Sequence, residues 1–236
     1  MFAERSIMVI PEEKRHTRDY GWLKTSWLFS FNDYHDPNNL SFGNLRAFND
    51  DLIQPGKGFS DHRHNEMEIV TFVLEGELSH RDSAGNEGTI RANEAQRLSA
   101  GTGVIHSEFN RGPSPVHLYQ MWFFPSRRGL LPSYAKGDFH QDGRQDRLQA
   151  IASGEGIGGM DMAADATVYA CNLGEGKMVQ IGGKERMLFI YLTSGVIDLE
   201  RREVGQNDQV RMIGEANIRA EEDAKFIVID MPKMKW

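Results

Sequence analysis

Short runs of β-branched and aromatic residues recur along this 236-residue chain, and clusters rich in glycine, asparagine and serine separate them. Such runs are typical of β-strands, and the clusters are typical of tight turns. The clearest strand predictions are residues 69–74, 117–124, 187–193 and 225–231, and the clearest turns are residues 83–86, 99–103 and 205–208. Helical periodicity is weak, and its best candidate lies near residues 142–152. The sequence therefore predicts an all-β protein with few short helices.

A faint repeat predicts how these strands are organised. Residues 71–78 and 189–197 each hold an apolar strand that ends in a glycine turn, and a second turn region follows 24 to 28 residues later. Each copy is typical of a small β-barrel of the jelly-roll type. The join is expected in the polar, glycine-bearing stretch 135–159. The predicted domains are therefore two consecutive barrels, residues 1–135 and residues 136–236.

The net charge and the lengths of the apolar runs indicate which binding partners this chain is unsuited to. With 27 basic and 34 acidic residues the chain carries a net charge of −7, and its isoelectric point is near 5.6. This balance disfavours direct contact with the phosphates of nucleic acids. No apolar run approaches the ~18 residues of a membrane span. We expect a protein that binds neither nucleic acid nor membrane.

The N-terminus and the cysteine content both favour a cytoplasmic location. Residues 1–14 lack an apolar segment of the length that an export signal needs. Cys171 is the only cysteine, so no disulfide can form within the chain. Because it lies in an apolar run, we expect Cys171 to be a small buried hydrophobic residue rather than a reactive thiol.

The histidines are distributed unevenly along the chain. All eight precede residue 141, and the last 96 residues contain none. If histidine carries the chemistry, the first predicted barrel holds the functional site. The second barrel is then structural.

Two short segments combine residue types that bind metal ions. His62 and His64 are separated by one residue, and so are His106 and Glu108. Side chains alternate along a strand, so residues two apart project from the same face about 6.6 Å apart. We predict that two such strands face each other across the barrel and bring three imidazoles and one carboxylate to one divalent ion. This donor set suits Fe(II), Mn, Ni, Cu or Zn. Either pair alone is also typical of a polar strand edge with solvated histidines.

The residues around these pairs resemble the two motifs of the cupin superfamily. The first motif is matched by Gly56, His62, His64, Glu68 and Gly76, with one extra residue before the last glycine. The end of the second is matched by Gly103, His106 and Asn110. Longer segments resemble the pirin family of cupins. These segments are residues 19–23, 29–31, 34–37, 67–76, 80–83, 99–110, 120–122 and 132–134.

The resemblance to pirins implies a bicupin fold with one metal ion in the N-terminal barrel and none in the C-terminal barrel. The family's metal ligands fall on His62, His64, His106 and Glu108. Glu68, which matches the usual cupin glutamate, is implied not to be a ligand. Two departures from the family pattern bear on substrate preference more than on metal binding. They are Arg63, where pirins usually have proline, and Trp27, near a position usually held by histidine.

Some pirin-like proteins cleave flavonols such as quercetin with O2, which implies a metal-dependent dioxygenase with Fe(II) as the expected ion. Glu108 is then the expected proton acceptor for the flavonol hydroxyl. Phe72, Leu74 and Trp122 are expected to line a dry cavity. We expect a monomer that takes a small aromatic substrate and O2. Two alternatives stay open: an iron-binding regulatory protein that acts through protein partners without turnover, and a cupin isomerisation that consumes no oxygen.

Three further polar residues lie near these motifs. His80 precedes the predicted turn at residues 83–86, and we expect a hydrogen-bonded histidine at a strand end rather than one that faces the cavity. Glu66 and Glu68 share the strand parity of His62 and His64. Each of them either orients an imidazole or belongs to a solvated, charged edge.

Overall fold

The computed structural model describes residues 6–233, and these residues form mainly antiparallel strands. In chain order the strands are β1 (Ile7–Ile10), β2 (His16–Asp19), β3 (Leu23–Trp27), β4 (Leu45–Ile53), β5 (Gly58–His64), β6 (Glu68–Glu75), β7 (Glu77–Asp82), β8 (Glu87–Arg91), β9 (Glu94–Ser99), β10 (Val104–Phe109), β11 (Val116–Phe123), β12 (Ser133–Asp138), β13 (Gln149–Ser153), β14 (Met160–Asp161), β15 (Thr167–Leu173), β16 (Met178–Ser194), β17 (Ile197–Leu199), β18 (Glu203–Val204), β19 (Gln209–Ala220) and β20 (Ala224–Pro232). The helical elements of this part of the chain are two 3₁₀ turns, Glu12–Lys14 and Gln141–Arg144. The all-β prediction is confirmed.

The chain divides into two compact units. One consists of His16–Phe139 with Met160–Ala164, and the other contains the remaining described residues. The change of unit after Phe139 falls inside the stretch that the sequence predicts as the join. Residues 6–15 group with the C-terminal unit, because β1 pairs with β19. Residues 1–5 and 234–236, at the ends of the two predicted domains, lie outside the described residues.

The unit that begins at His16 contains two antiparallel sheets. One has the strand order β12-β9-β6-β11-β4-β3-β2, and the other has the order β5-β10-β7-β8. Apolar side chains from both sheets pack into one core, which consists of Leu23, Ile53, Val73, Leu78, Ile90, Val116 and Leu118. Full burial of each large apolar side chain contributes about 1.5–3 kcal/mol. This core holds the two sheets against each other.

Asn110 fixes the chain just beyond β10. Its side chain is fully buried, and Nδ2 donates hydrogen bonds to the carbonyls of Ile53 (2.9 Å) and Ser114 (2.8 Å). Oδ1 accepts a bond from the N–H of Gly112 (2.9 Å). A buried amide must satisfy its polar atoms, and here it does so by joining the end of β4 to the loop after β10. The asparagine of the second motif is therefore structural.

The other unit contains a sheet in which β13, β15, β20, β16, β19, β17 and β18 follow in that order. Its core is mainly aliphatic and includes Cys171 on β15, which is 1% exposed. Burial raises the pKa of the Cys171 thiol to about 12. The thiol is therefore protonated at neutral pH, as expected for a buried hydrophobic residue.

The prediction of a helical turn near residues 142–152 is correct only for one 3₁₀ turn at the start of this stretch and is wrong for the rest. The helical segment is Gln141–Arg144, and Gln149–Ser153 is strand β13, antiparallel to β15. Ile151, Ala152 and Ser153 are buried, so tertiary packing overrides a weak local preference. Within residues 6–233, no helix is long and apolar enough to cross a membrane.

Candidate metal centre

The two histidine-bearing segments lie on neighbouring strands. β5 and β10 pair antiparallel in one sheet, with His106 opposite His62 and Val104 opposite His64. The prediction that they face each other across a barrel is therefore wrong. Direct cross-strand neighbours have Cβ atoms only about 4.5–5.5 Å apart, which achieves the same convergence. A register shift lies between His106 and Glu108, so Glu108 pairs with Phe59.

The four predicted ligands fall into two overlapping groups, and Glu108 is not in the same group as His62 and His64. Ligand atoms of His62, His64 and His106 all lie within 4.8 Å of one another, and ring centroids are 4.4–4.9 Å apart. A second group, with the same 4.8 Å limit, consists of His80, His106 and Glu108. His106 belongs to both groups.

Two glutamine side chains hold the Glu108 carboxylate. Gln96 Nε2 donates to Oε1 (2.7 Å) and Gln120 Nε2 donates to Oε2 (2.9 Å). The glutamines are themselves fixed, because Tyr134 Oη donates to Gln96 Oε1 and Trp122 Nε1 donates to Gln120 Oε1. Each carboxylate oxygen has two lone pairs, so one on each remains free. The two hydrogen bonds fix the position of the Glu108 carboxylate, and each of its oxygens can still accept a further bond.

A chain of hydrogen bonds sets the tautomer of His106. Burial raises the pKa of Asp82. Hydrogen bonds from the side chain and backbone of Asn86, and one from His80, outweigh this effect and hold the pKa of Asp82 below its usual value. The Asp82 carboxylate therefore accepts, and His80 Nε2 donates to it (3.1 Å). His80 Nδ1 is then an acceptor, and the N–H at Nδ1 of His106 donates a hydrogen bond to it, at 3.4 Å. Nε2 of His106 is left with its lone pair.

The free nitrogens fit a metal ion. Among the described residues His106 Nε2 is buried without a hydrogen-bond partner. His62 Nδ1 lies 2.8 Å from the carbonyl of Ser60 and donates to it, which leaves Nε2 of His62 with a lone pair as well. An unpartnered buried nitrogen is costly unless something binds it. Imidazole nitrogens oriented in this way are typical metal ligands.

Two of the imidazoles are neutral at physiological pH. Burial and the neighbouring His106 and His62 lower the pKa of His64 to about 4, against the opposing charge of Glu108. Burial, with His62 and His80, lowers the pKa of His106 to about 3, and Asp82 opposes the shift. No proton therefore competes with a metal ion at these two rings near pH 7.

A cavity of ≈ 410 Å³ lies between the two sheets and opens onto these residues. His62, His64 and Glu108 line it from β5 and β10. Half of the other lining residues are aromatic, namely Tyr20, Trp22, Trp27, Phe31, Phe59 and Trp122. This volume and lining are typical of a site for a small aromatic molecule.

The expected lining of the cavity is correct for Trp122 but wrong for Phe72 and Leu74. Trp122 packs edge-on against His64, with ring centroids 4.8 Å apart. Phe72 and Leu74 do not belong to the lining set among the described residues. Thr71 lies 3.4 Å from the cavity residue Gln120, so alternation along β6 turns Phe72 and Leu74 to the other face. Trp27, a departure from the family pattern, lines the cavity as well.

The two glutamates of uncertain role make other contacts. Glu68 is buried and accepts hydrogen bonds from Ser99 Oγ (2.8 Å) and from the N–H of Ala163 (3.0 Å). Burial nevertheless raises its pKa. Glu66 has a positive φ of 49° and accepts a bond from the N–H of Gly129. Both contacts are structural rather than ligand-orienting.

Sequence reasoning missed the residues that support the ligands. Gln96, Gln120 and Asp82 lie on β9, β11 and β7, and each reaches the site through non-local strand pairing. His80 on β7 is hydrogen-bonded to Asp82 and is not among the described residues that line the cavity, as the sequence predicts. Gln120 shares strand parity with Trp122, and this parity was the available signal. Asp51 on β4, a second carboxyl group lining the cavity, was missed entirely.

Two antiparallel sheets that enclose an aromatic cavity with converging imidazoles define a protein of the cupin class. Comparison with known families agrees with this. The pirin family model matches residues 10–123, and that of the quercetinase C-terminal cupin domain matches residues 150–231. The chain belongs to the pirin family.

Individual relatives span almost the whole chain. It is 35% identical to a pirin-like protein of Caulobacter vibrioides, with 93% of this chain and 97% of that protein covered. It is also 35% identical to a quercetin 2,3-dioxygenase of Escherichia coli K12, with 93% and 96% covered. The bacterial pirin YhhW of Escherichia coli, solved in complex with nickel(II), superimposes with a TM-score of 0.90 at 33% identity, over 97% of this chain and all of that one.

Proposed function

We propose that this protein is a metal-dependent dioxygenase that opens a ring of a flavonol, or of a similar enolic aromatic molecule, with O2. The observation that carries the proposal is the set of three converging imidazoles, with a free, buried nitrogen on His106, beside an aromatic cavity. The relative named quercetin 2,3-dioxygenase supports the choice of substrate.

The proposed ligands of one divalent ion are His62, His64, His106 and Glu108. Three imidazoles and a carboxylate suit Fe(II), and also Mn, Ni, Cu or Zn. The nickel(II) complex of the related pirin supports a metal ion in this family without selecting one for this chain. We take Fe(II) as the working ion.

The bound ion would supply Lewis-acid chemistry, which lowers the pKa of a hydroxyl group bound to it. The chain's own residues do the rest. Glu108 has a free lone pair on each oxygen and accepts the proton of the substrate hydroxyl, while Gln96 and Gln120 hold its carboxylate in position. Trp27, Trp122 and the other aromatic side chains exclude water from the electron-rich substrate anion.

Oxygen uptake by reloaded protein tests the proposal. Protein stripped of metal is reloaded with Fe(II), Mn, Ni, Cu or Zn, and O2 consumption is followed with quercetin present. We expect uptake with at least one redox-active ion. His62→Ala and Glu108→Ala should abolish it, while His35→Ala, an exposed histidine outside the cavity, should leave it unchanged.

The same experiment separates the alternatives. One bound metal ion per chain without oxygen uptake would overturn the dioxygenase proposal and favour a regulatory protein that acts through protein partners. Conversion of the substrate without oxygen uptake would indicate isomerisation. Failure to bind any of the five ions would overturn the metal site itself.

A further inference from the structure

The cavity contains a second carboxyl group that the proposed reaction does not use. Asp51 lies on β4, opposite Thr25 on β3 and Leu118 on β11. It lines the cavity from the seven-stranded sheet, whereas Glu108 lines it from the four-stranded sheet. Asp51 is only 3% exposed. The cavity therefore has a carboxyl group on each of its two walls.

Asp51 and its neighbour Asn49 present acceptor atoms that nothing occupies. Within residues 6–233, Oδ1 of Asp51 and Oδ1 of Asn49 are buried without a hydrogen-bond partner. Both residues are more than nine-tenths buried, and both line the cavity. An unsatisfied buried acceptor costs about 1–3 kcal/mol, and more if it is charged. Asn49 and Asp51 are two residues apart on β4, so both unpartnered acceptors lie on the same face of the strand.

Two other carboxylates near Asp51 accept hydrogen bonds from side chains of the protein. Glu108 accepts two amide hydrogen bonds. Asp50, next to Asp51 but with the opposite strand parity, accepts a bond from His117 Nε2 at 2.7 Å. The Thr25 hydroxyl contacts the Asp51 carboxyl group, and Oδ1 of Asp51 has no partner among the described residues.

The electrostatic surroundings of Asp51 agree with this geometry. Burial raises the pKa of Asp51 to about 7, the Thr25 hydroxyl opposes the shift, and Asp50 and Glu108 add to it. His117 lowers the pKa slightly. Any hydrogen bond that the buried carboxylate accepts therefore stabilises its charged form.

We propose that Asp51 and Asn49 form the hydroxyl-binding wall of the cavity. They accept hydrogen bonds from ring hydroxyl groups of an aromatic ligand whose enol group faces the imidazoles on the other wall. This rests on the proposed function, and it specifies the ligand class further. The substrate is a polyhydroxylated flavonol rather than one whose only hydroxyl is the enol.

Ligand binding without turnover tests this assignment. Zinc-loaded protein is titrated anaerobically with quercetin and with 3-hydroxyflavone, which keeps the enol but lacks the ring hydroxyls, and binding is followed by flavonol absorbance. At pH 8, above the pKa of Asp51, wild-type protein should bind quercetin about tenfold more tightly or better, as a hydrogen bond to a buried charged acceptor implies. Asp51→Asn and the nearly isosteric Asp51→Leu should reduce that preference to about threefold or less.

Asp50→Asn is the matched control, because it makes the same chemical change one residue away and outside the cavity. It should keep the wild-type preference. One zinc ion per chain in each variant shows that the site is folded.

The two possible failures look different. An equal preference for quercetin in wild-type protein and both Asp51 variants would overturn the hydroxyl-binding wall and leave the proposed function standing. If neither flavonol binds zinc-loaded wild-type protein, the proposed function falls, and the ligand class named here falls with it.

Discussion

At the scale of single residues, burial shifts the pKa of three side chains at the site in directions set by their charges. Burial disfavours the charged form, so it lowers the pKa of His64 and His106 and raises that of Asp51. The two imidazoles are thereby neutral and able to bind a cation. The carboxyl group on the other wall is close to half-protonated at neutral pH.

The raised pKa of Asp51 predicts how stability depends on pH. Its pKa is about 7 when folded and 3.8 ordinarily, so between these values the folded state binds more protons than the unfolded state. The contribution of Asp51 to stability is therefore full below pH 4 and is lost as the pH rises to 7. Asp51→Asn should remove this loss. The free energy of unfolding of the variant, relative to that of the wild type, should therefore increase by about 1.4 kcal/mol per pH unit between pH 5 and 7.

Free energies of unfolding of the metal-free proteins at pH 5, 6, 7 and 8 check this. His64 and His106 have the opposite pH dependence, since their lowered pKa values make acid destabilising, but both proteins contain them. Their effect therefore cancels in the difference between wild type and variant. A difference that does not change with pH would contradict the raised pKa.

At the scale of elements, the site depends on how closely β5 approaches β10. A Cβ atom on Gly58 would lie 2.6 Å from Cα of Phe109 and would also contact the carbonyl of Glu108. Only glycine allows this approach, so the position of Gly58 sets that of the strand bearing Glu108. The glycine has a packing role that no motif predicts.

Gly58→Ala should therefore push β10 away and disturb the site. We expect a loss of about 1–3 kcal/mol in the free energy of unfolding, as for other overpacked positions, together with weaker zinc binding. Denaturant unfolding and a competitive zinc titration measure the two effects.

Gly88→Ala on β8 of the same sheet is the control. There a Cβ atom would meet only Tyr134 Oη, at 3.5 Å, so stability and zinc affinity should change little. Equal effects of the two substitutions would show that the close approach at Gly58 does not matter.

At the scale of the whole molecule, all four proposed ligands belong to one of the two compact units, the one that begins at His16. A ligand that binds only the folded state stabilises the structure it contacts. Zinc should therefore slow hydrogen exchange in β5 and β10 and their sheet neighbours. Exchange in β15, β16 and β20 should be unchanged.

Exchange mass spectrometry of zinc-loaded and chelator-treated protein makes this comparison. The His62→Ala variant, treated in the same two ways, is the control and should show no difference between them. Equal protection of both units by zinc would contradict the assignment of the metal site to one unit.

The sequence by itself determined the all-β class, the family and the candidate ligands. Strand alternation is local, so the pairs His62, His64 and His106, Glu108 are recognisable from spacing alone. Only the tertiary structure decided that β5 and β10 are neighbours, that Gln96 and Gln120 hold Glu108, and that Asp51 lies on the opposite wall. Those relations arise between strands that are distant in sequence. Their pairing depends on how the sheets assemble and bury their apolar faces, and no local pattern records it.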